Sequence, residues 1–100
     1  MSGKKYDKGK PDYSLIPHKA ELEVVKALTF GAKKYDRENW RNVPDYYNRY
    51  YAAARRHLSA VRMGEDLDPE TGLHHLSHAI CCLYFLLELE IEKRDQEEGS

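Results

Sequence analysis

The stretch GEDLDPETGLHHLSHA, residues 64–79, gathers four carboxylates (Glu65, Asp66, Asp68, Glu70) and three histidines (His74, His75, His78) into sixteen positions. Such groups can hold a metal or move a proton. Carboxylate oxygens suit a hard ion such as Mg²⁺, imidazoles suit Zn²⁺ or Mn²⁺, and a neutral imidazole can also act as a general base. The same residues have a plainer use. Asp68 has helix N-cap chemistry, Pro69 suits the first helical position and Glu70 favours the positive helix end. That use leaves His75 and His78 over. Three residues apart on a helix, they share a face with Thr71, Cys82 and Phe85. A buried histidine is more often a hydrogen-bonded core residue than a ligand. Two on one face beneath a carboxylate-rich loop, with His57 on a neighbouring apolar stripe, shift that balance toward a site.

Cations that could meet phosphate lie elsewhere. Lys33 and Lys34 fall at the end of the first expected helix, where they also offset the negative helix terminus. Arg55 and Arg56 precede His57 in mid-helix, so at least one is expected to meet a carboxylate or a phosphate. Tyr35 and Trp40 flank a polar loop and could stack on a base or anchor that loop by aromatic packing. Tyr46, Tyr47, Tyr50 and Tyr51 read as core and interface surface.

The elements that must position these groups are helical. Residues 1–16 are rich in Gly, Pro and Lys and read as an extended arm. A first helix is expected from Pro17 to about Tyr35, with Ala20, Val24, Ala27, Leu28 and Ala32 at helical apolar spacing. Gly31 inside it points to close approach of a backbone or ligand. Residues 36–44 form a connecting loop. Asp45 can cap a second helix reaching about Met63, with Gly64 as its stop. Its stripe of Tyr46, Tyr50, Ala53, Ala54, His57 and Val61 puts His57 on the buried face. The third helix is expected to begin at Asp68 and to be the central one, since apolar residues surround much of it. Residues 17–94 thus form an all-α, compact three-to-four-helix domain, followed by a frayed acidic tail over 95–100.

Composition agrees with a single globular domain. The 100 residues are 33% charged and 41% hydrophobic, and a chain of this length builds only a thin core, so assembly into a homo-oligomer (dimer or tetramer) is expected. No apolar run is long enough to span a bilayer, and the N-terminus has no secretory apolar segment. Cys81 and Cys82 point about 100° apart on a helix, which disfavours a disulfide and fits a reducing cytoplasm. Residues 1–37 carry +4, residues 38–63 carry +3 and residues 64–100 carry −8, for a net charge of −1. Such asymmetry suits a polyanion held by cations on one side and by metal on the other, or simply solvated helix faces. No dense basic stripe marks nucleic acid as a partner.

Three motifs in order, KYDKGKPDYSLIP, ALTFGAKKYDRENW and RRHLSAVRMGEDLDPETGLHHLSHA ahead of an apolar helix, resemble a phage family of dATP/dGTP diphosphohydrolases. That family looks related to the MazG-like all-α nucleotide pyrophosphohydrolases, and the resemblance covers about residues 5–90. It implies cleavage of a purine deoxynucleoside triphosphate to monophosphate and pyrophosphate, with helix-borne carboxylates holding Mg²⁺ (or Mn²⁺). Carried to matching positions, Glu65 and Asp68 become the leading metal and catalytic candidates, with Glu70 next. His75 and His78 become ligands, bases or phosphate donors. Lys33, Lys34, Arg56 and His57 become substrate contacts, and Trp40 meets the base or shapes its pocket. One departure stands out. MazG-like enzymes carry E-x-x-E on one helix and E-x-x-D on the next, whereas the first helix here offers Glu21 and Glu23, about 200° apart. Either histidines replace some acids, or the fold binds nucleotide without hydrolysing it. A helical interaction protein with structural histidines is the third reading.

Overall fold

The computed structural model describes residues 3–99. Three α-helices carry the fold: α1 (His18–Tyr35), α2 (Tyr46–Arg62) and α3 (His75–Gly99), with short 3-10 turns at Tyr13–Leu15 and Asn39–Asn42. Among the described residues the only β pairing is an isolated antiparallel bridge between Leu67 and His74.

Pro17 precedes α1 as its cap residue, and Glu21 and the Lys33–Lys34 pair sit at opposite ends in the orientation the helix dipole favours. One face of α1 buries Val24 and Ala27 against Cys81 of α3, with Leu28, Leu73 and Phe85 packed around them. Removing a valine side chain from water contributes on the order of 1.5–3 kcal/mol, so this small cluster supplies much of what holds α1. The Cys81 thiol donates to the Val24 carbonyl at 3.6 Å, and burial pushes its pKa up to about 12. Both cysteines are free, as expected for neighbours pointing apart on a helix.

The central helix is α3, which packs most extensively on α2 and less on α1. Ala54 of α2 and Ala79 of α3 are both 2% exposed, and such small side chains let helix backbones approach closely. The core is as thin as the length implies. Among the described residues only Val24, Ala27, Ala54, Ala79 and Cys81 are buried hydrophobics, while Leu76, Ile80, Leu83, Tyr84 and Leu87 of α3 stay exposed. The Cα radius of gyration is 16.9 Å, against about 13 Å for a close-packed domain of this size, and the longest extent is 52 Å, in keeping with a 25-residue α3 and an arm whose described residues are all exposed.

Four expectations need correction. The third helix begins at His75, seven residues after Asp68, because the chain from Asp68 makes a single turn and then folds back. Helix α3 continues to Gly99 where a frayed tail was expected; Ser100, like Met1 and Ser2 of the arm, lies outside the described residues. Asp45 does precede α2, but in the left-handed region (φ 52°), and its carboxylate takes a hydrogen bond from the Asn48 side chain instead of a backbone N–H. Of the two approaches expected at Gly31, that of a backbone is absent, since a Cβ there would meet open space, while the side open to a ligand remains, as Gly31 lines a cleft between the helices. Gly64, by contrast, ends α2 as expected. With φ at 98° it completes a Schellman motif, Gly64 N–H donating to Val61 and Glu65 N–H to Ala60.

Candidate functional site

The loop between α2 and α3 is short, polar and heavily bonded. Backbone bonds from Asp68 to the Leu73 carbonyl and from His75 to the Asp66 carbonyl, both 2.8 Å, close it on itself. Inside the closure Asp68 Oδ1 accepts from the N–H groups of Glu70 (2.8 Å) and Thr71 (3.0 Å), and Gly72 at φ 74° turns the chain back. Asp68 therefore makes the bonds of an N-cap, but to one turn only. The cap of α3 is His74, whose Nδ1 accepts from Leu76 N–H at 3.0 Å.

This closure delivers three imidazoles and a carboxylate to one place. His75 is 5% exposed and half-buried His57 faces it, with their Nδ1 atoms 2.9 Å apart. His75 Nε2–H donates to Glu65 Oε1 at 2.8 Å, leaving its Nδ1 lone pair toward His57. Asp68 Oδ2, the oxygen not used by the loop, lies 4.0 Å from His75 Nδ1. His78 stacks on His57 with ring centroids 5.1 Å apart, and its Nε2 meets the Thr71 hydroxyl at 2.7 Å. Ligand atoms of His57, Asp68 and His75 all lie within 4.8 Å of one another.

The electrostatics suit that arrangement. Burial holds the pKa of His57 below its ordinary value, reinforced by His78 and His75. Burial also lowers that of His78, against the opposing pull of Asp68. For Asp68, burial pushes upward but is outweighed by the N–H groups of Thr71 and Glu70, so its carboxyl stays below the usual range. Neutral imidazoles beside an ionised carboxylate are the states a bound metal requires.

His57, Asp68 and His78 line one part of a cleft of about 1110 Å³ that extends between α1, the 36–44 loop, α2 and α3. Another part is aromatic. Trp40 stacks on Phe85 at 5.0 Å and 12°, Tyr50 tilts against the same ring, and the Tyr50 hydroxyl donates to the Trp40 carbonyl at 3.0 Å. Arg41 bonds Glu92 of α3 at 2.7 Å and so ties this loop down. Trp40 thus anchors its loop and forms cleft wall at once.

The remaining candidates divide. Lys34 and Glu70 both line the cleft and pair with each other at 2.8 Å, and this bond raises the lysine pKa. Arg56 also lines the cleft, and among the described residues neither it nor Arg55 reaches a carboxylate; Arg55 instead donates to the Tyr51 hydroxyl. Lys33 is exposed and outside the cleft wall. Glu65 and Glu70 are taken up by His75 and Lys34, so the three carboxylates expected to share a metal do not converge; Asp68 alone among them joins the imidazoles. The sequence puts Thr71 and Phe85 on the histidine face without revealing that Thr71 bonds His78 or that Phe85 is the platform for Trp40, and it gives no sign of His74 as a cap. The Asp68–Thr71 spacing was a usable signal for the first.

The family described as "dATP/dGTP diphosphohydrolase, N-terminal" matches residues 1–98. A protein of Salmonella phage PMBT28 named dATP/dGTP diphosphohydrolase is 39% identical over 89 residues, which make up 89% of this chain and 30% of the phage protein. The chain thus spans less than a third of the length of that curated relative. No solved structure matches it significantly, and no helix is long and apolar enough to cross a membrane. With the match covering nearly all of its length, the chain belongs to the dATP/dGTP diphosphohydrolase family, in the part described as N-terminal.

Proposed function

We propose that this chain binds a purine deoxynucleoside triphosphate in the cleft and supports its metal-dependent hydrolysis to monophosphate and pyrophosphate, adjusting a phage's nucleotide pool. One observation carries the reading: a single cleft joins an aromatic wall, four cations (Lys34, Arg37, Arg49 and Arg56) and the imidazoles of His57 and His78 with the carboxylate of Asp68. The base lies toward Trp40. The phosphates lie toward Arg56 and Lys34, the latter exchanging Glu70 for a phosphate oxygen. A divalent ion, Mg²⁺ or Mn²⁺ on the family resemblance, would be held by Asp68 with the neighbouring imidazoles. When bound it neutralises phosphate charge and activates water. Two imidazoles with one carboxylate fit Mn²⁺ better than Mg²⁺.

The chain's own groups supply the rest. A water oxygen bonds to the α-phosphorus as the bond from that phosphorus to the α–β bridging oxygen breaks, and pyrophosphate leaves with the electron pair. His78, neutral and oriented by Thr71, can take the water's proton. Incubating the folded chain with a panel of ribo- and deoxynucleotides and either metal tests this directly. Pyrophosphate from dATP or dGTP is expected; its absence from every nucleotide would end the hydrolase reading.

A second reading has its own observation. Glu65 and Glu70 are engaged within the protein, which leaves fewer free carboxylates than MazG-like chemistry uses. On that reading the cleft binds nucleotide and returns it unchanged. Calorimetric binding with full recovery of the triphosphate would favour it.

A further inference from the structure

The donor set between α2 and α3 is unlike the carboxylate cage expected for Mg²⁺. We propose that His57 Nδ1, His75 Nδ1 and Asp68 Oδ2 form a first-row transition-metal site that prefers ions such as Mn²⁺, Co²⁺ or Zn²⁺ over Mg²⁺, with Glu65 as the group that orients His75. The site concerns the same cleft as the proposed hydrolysis but stands on its own geometry.

Three features support it. At metal–nitrogen bonds of about 2.1 Å, adjacent ligands at right angles stand about 3.0 Å apart, and ligands directly across one ion about 4.2 Å apart. The Nδ1–Nδ1 separation of 2.9 Å matches adjacent ligands, and the His75 Nδ1–Asp68 Oδ2 separation of 4.0 Å is close to that of opposite ones. With ligand atoms of all three residues within 4.8 Å of one another, a small inward shift of a side chain brings them to one ion. Second, His75 already has the outer partner that metal-bound histidines use. Its Nε2–H donates to Glu65 at 2.8 Å, which fixes the tautomer and turns the Nδ1 lone pair inward. With Glu65 holding the His75 hydrogen on Nε2, the His57 Nδ1–H donates to that lone pair in the metal-free chain. An ion entering the site requires the other His57 tautomer, with Nδ1 on the metal and the hydrogen on Nε2. Third, Asp68 is rigid without being consumed: Oδ1 accepts two backbone N–H groups while Oδ2 faces the imidazoles. Imidazole donors favour the heavier divalent ions, whereas Mg²⁺ seeks oxygen and keeps its water.

Glu65 is therefore a positioning residue, not a ligand. Its side chain is 57% exposed and aims at the far nitrogen of His75. Glu65→Gln keeps an acceptor but loses the charge that makes the imidazole a stronger donor.

The test titrates metal-free protein with Co²⁺. One ion per chain with visible ligand-field absorption is expected, resistant to roughly a hundredfold excess of Mg²⁺. His57→Gln should abolish the band with helical circular dichroism unchanged, and Glu65→Gln should weaken binding by about 10–100-fold. X-ray absorption on the Zn²⁺-loaded wild-type chain needs no variant and should show scattering from two imidazoles. Oxygen-only coordination, displacement by an equal concentration of Mg²⁺, or unchanged affinity in Glu65→Gln would overturn the site. The two readings separate cleanly. Co²⁺ bound through imidazole with no pyrophosphate formed keeps the site and removes the hydrolase; pyrophosphate formed with oxygen-only coordination does the reverse.

Discussion

Two polar loops join the helices, one between α1 and α2 and one between α2 and α3, and they differ in what chiefly fixes them. The first is held by side chains reaching outward: Trp40 on Phe85, the Tyr50 hydroxyl on the Trp40 carbonyl, and Arg41 on Glu92. The second is shaped first by its own backbone and by one carboxylate, with the bridge of Leu67 and His74 closing it and Asp68 filling it. Its Glu65, Glu70 and Thr71 side chains then bond His75, Lys34 and His78. Packing on an aromatic ring fixes where a loop sits but aims no lone pairs. A loop that satisfies its own N–H groups leaves Asp68 Oδ2, His57 and His78 facing a cleft. Position and chemistry are divided between the two connections.

The sharpest way to break that division is at Asp68. Asp68→Ala removes the acceptor of two backbone N–H groups as well as the proposed metal oxygen. A stability loss of about 1–3 kcal/mol in urea unfolding is expected. Metal affinity should fall beyond the roughly 100-fold seen for outer-shell changes. Asp68→Asn keeps an Oδ1 for the loop, so it should recover most of the stability and little of the metal affinity. If both variants bind Co²⁺ like the wild type, the second loop has no such chemical role.

Trp40→Ala probes the other side. Loss of the stack on Phe85 and of a half-buried indole should cost about 2–3 kcal/mol. Metal binding should stay within a few-fold, because no site group depends on the first loop. Nucleotide affinity should drop. A Trp40→Ala chain that remains folded yet loses its metal would show that the loops are not independent.

Acid should act through the second region first. The pKa values of His57 and His78 are held below the ordinary imidazole value, so the unfolded chain takes up protons that the folded chain refuses. Their stabilising contribution is fully present above about pH 6.5 and is lost as pH falls below it. Asp68, lowered from its ordinary 3.8, adds a further loss only under stronger acid. The urea midpoint of the metal-free protein should therefore fall between pH 7.5 and 5.5, and His57→Gln should flatten that fall. A midpoint that rises on acidification would mean the imidazoles are stabilised in their charged form.

How much of this was legible depends on how far each signal reaches along the chain. Helix α2 and its stop at Gly64 were readable, since the apolar stripe and the left-handed glycine are both local. The pairing of His75 with His78 on one helix face was readable from spacing alone. Asp68 was misread as a helix start because a single capped turn and the first turn of a helix share the same bonds. What separates them is Gly72 reversing the chain and Leu67 bridging to His74, a contact between residues that no propensity links. That His57 meets His75 follows from the register of α2 on α3, and the capture of Glu65 by His75 follows from the folded loop. Neither has a sequence signature.

The smallest expected effect lies where the second loop meets the end of α1, at the exposed pair of Lys34 and Glu70. Exposed ion pairs contribute about 0–1 kcal/mol, so Lys34→Met and Glu70→Gln should hardly change the unfolding midpoint. Their effects on nucleotide should have opposite signs. Removing Lys34 takes away a phosphate contact and should weaken triphosphate binding several-fold. Removing the Glu70 charge frees that lysine from its competitor and should tighten binding by a similar factor, measured by calorimetry. If Glu70 instead holds a metal, as the carboxylate-rich sequence first suggests, Glu70→Gln must weaken metal-dependent binding along with Lys34→Met. The sign of one substitution therefore decides whether this carboxylate belongs to the metal or to the lysine.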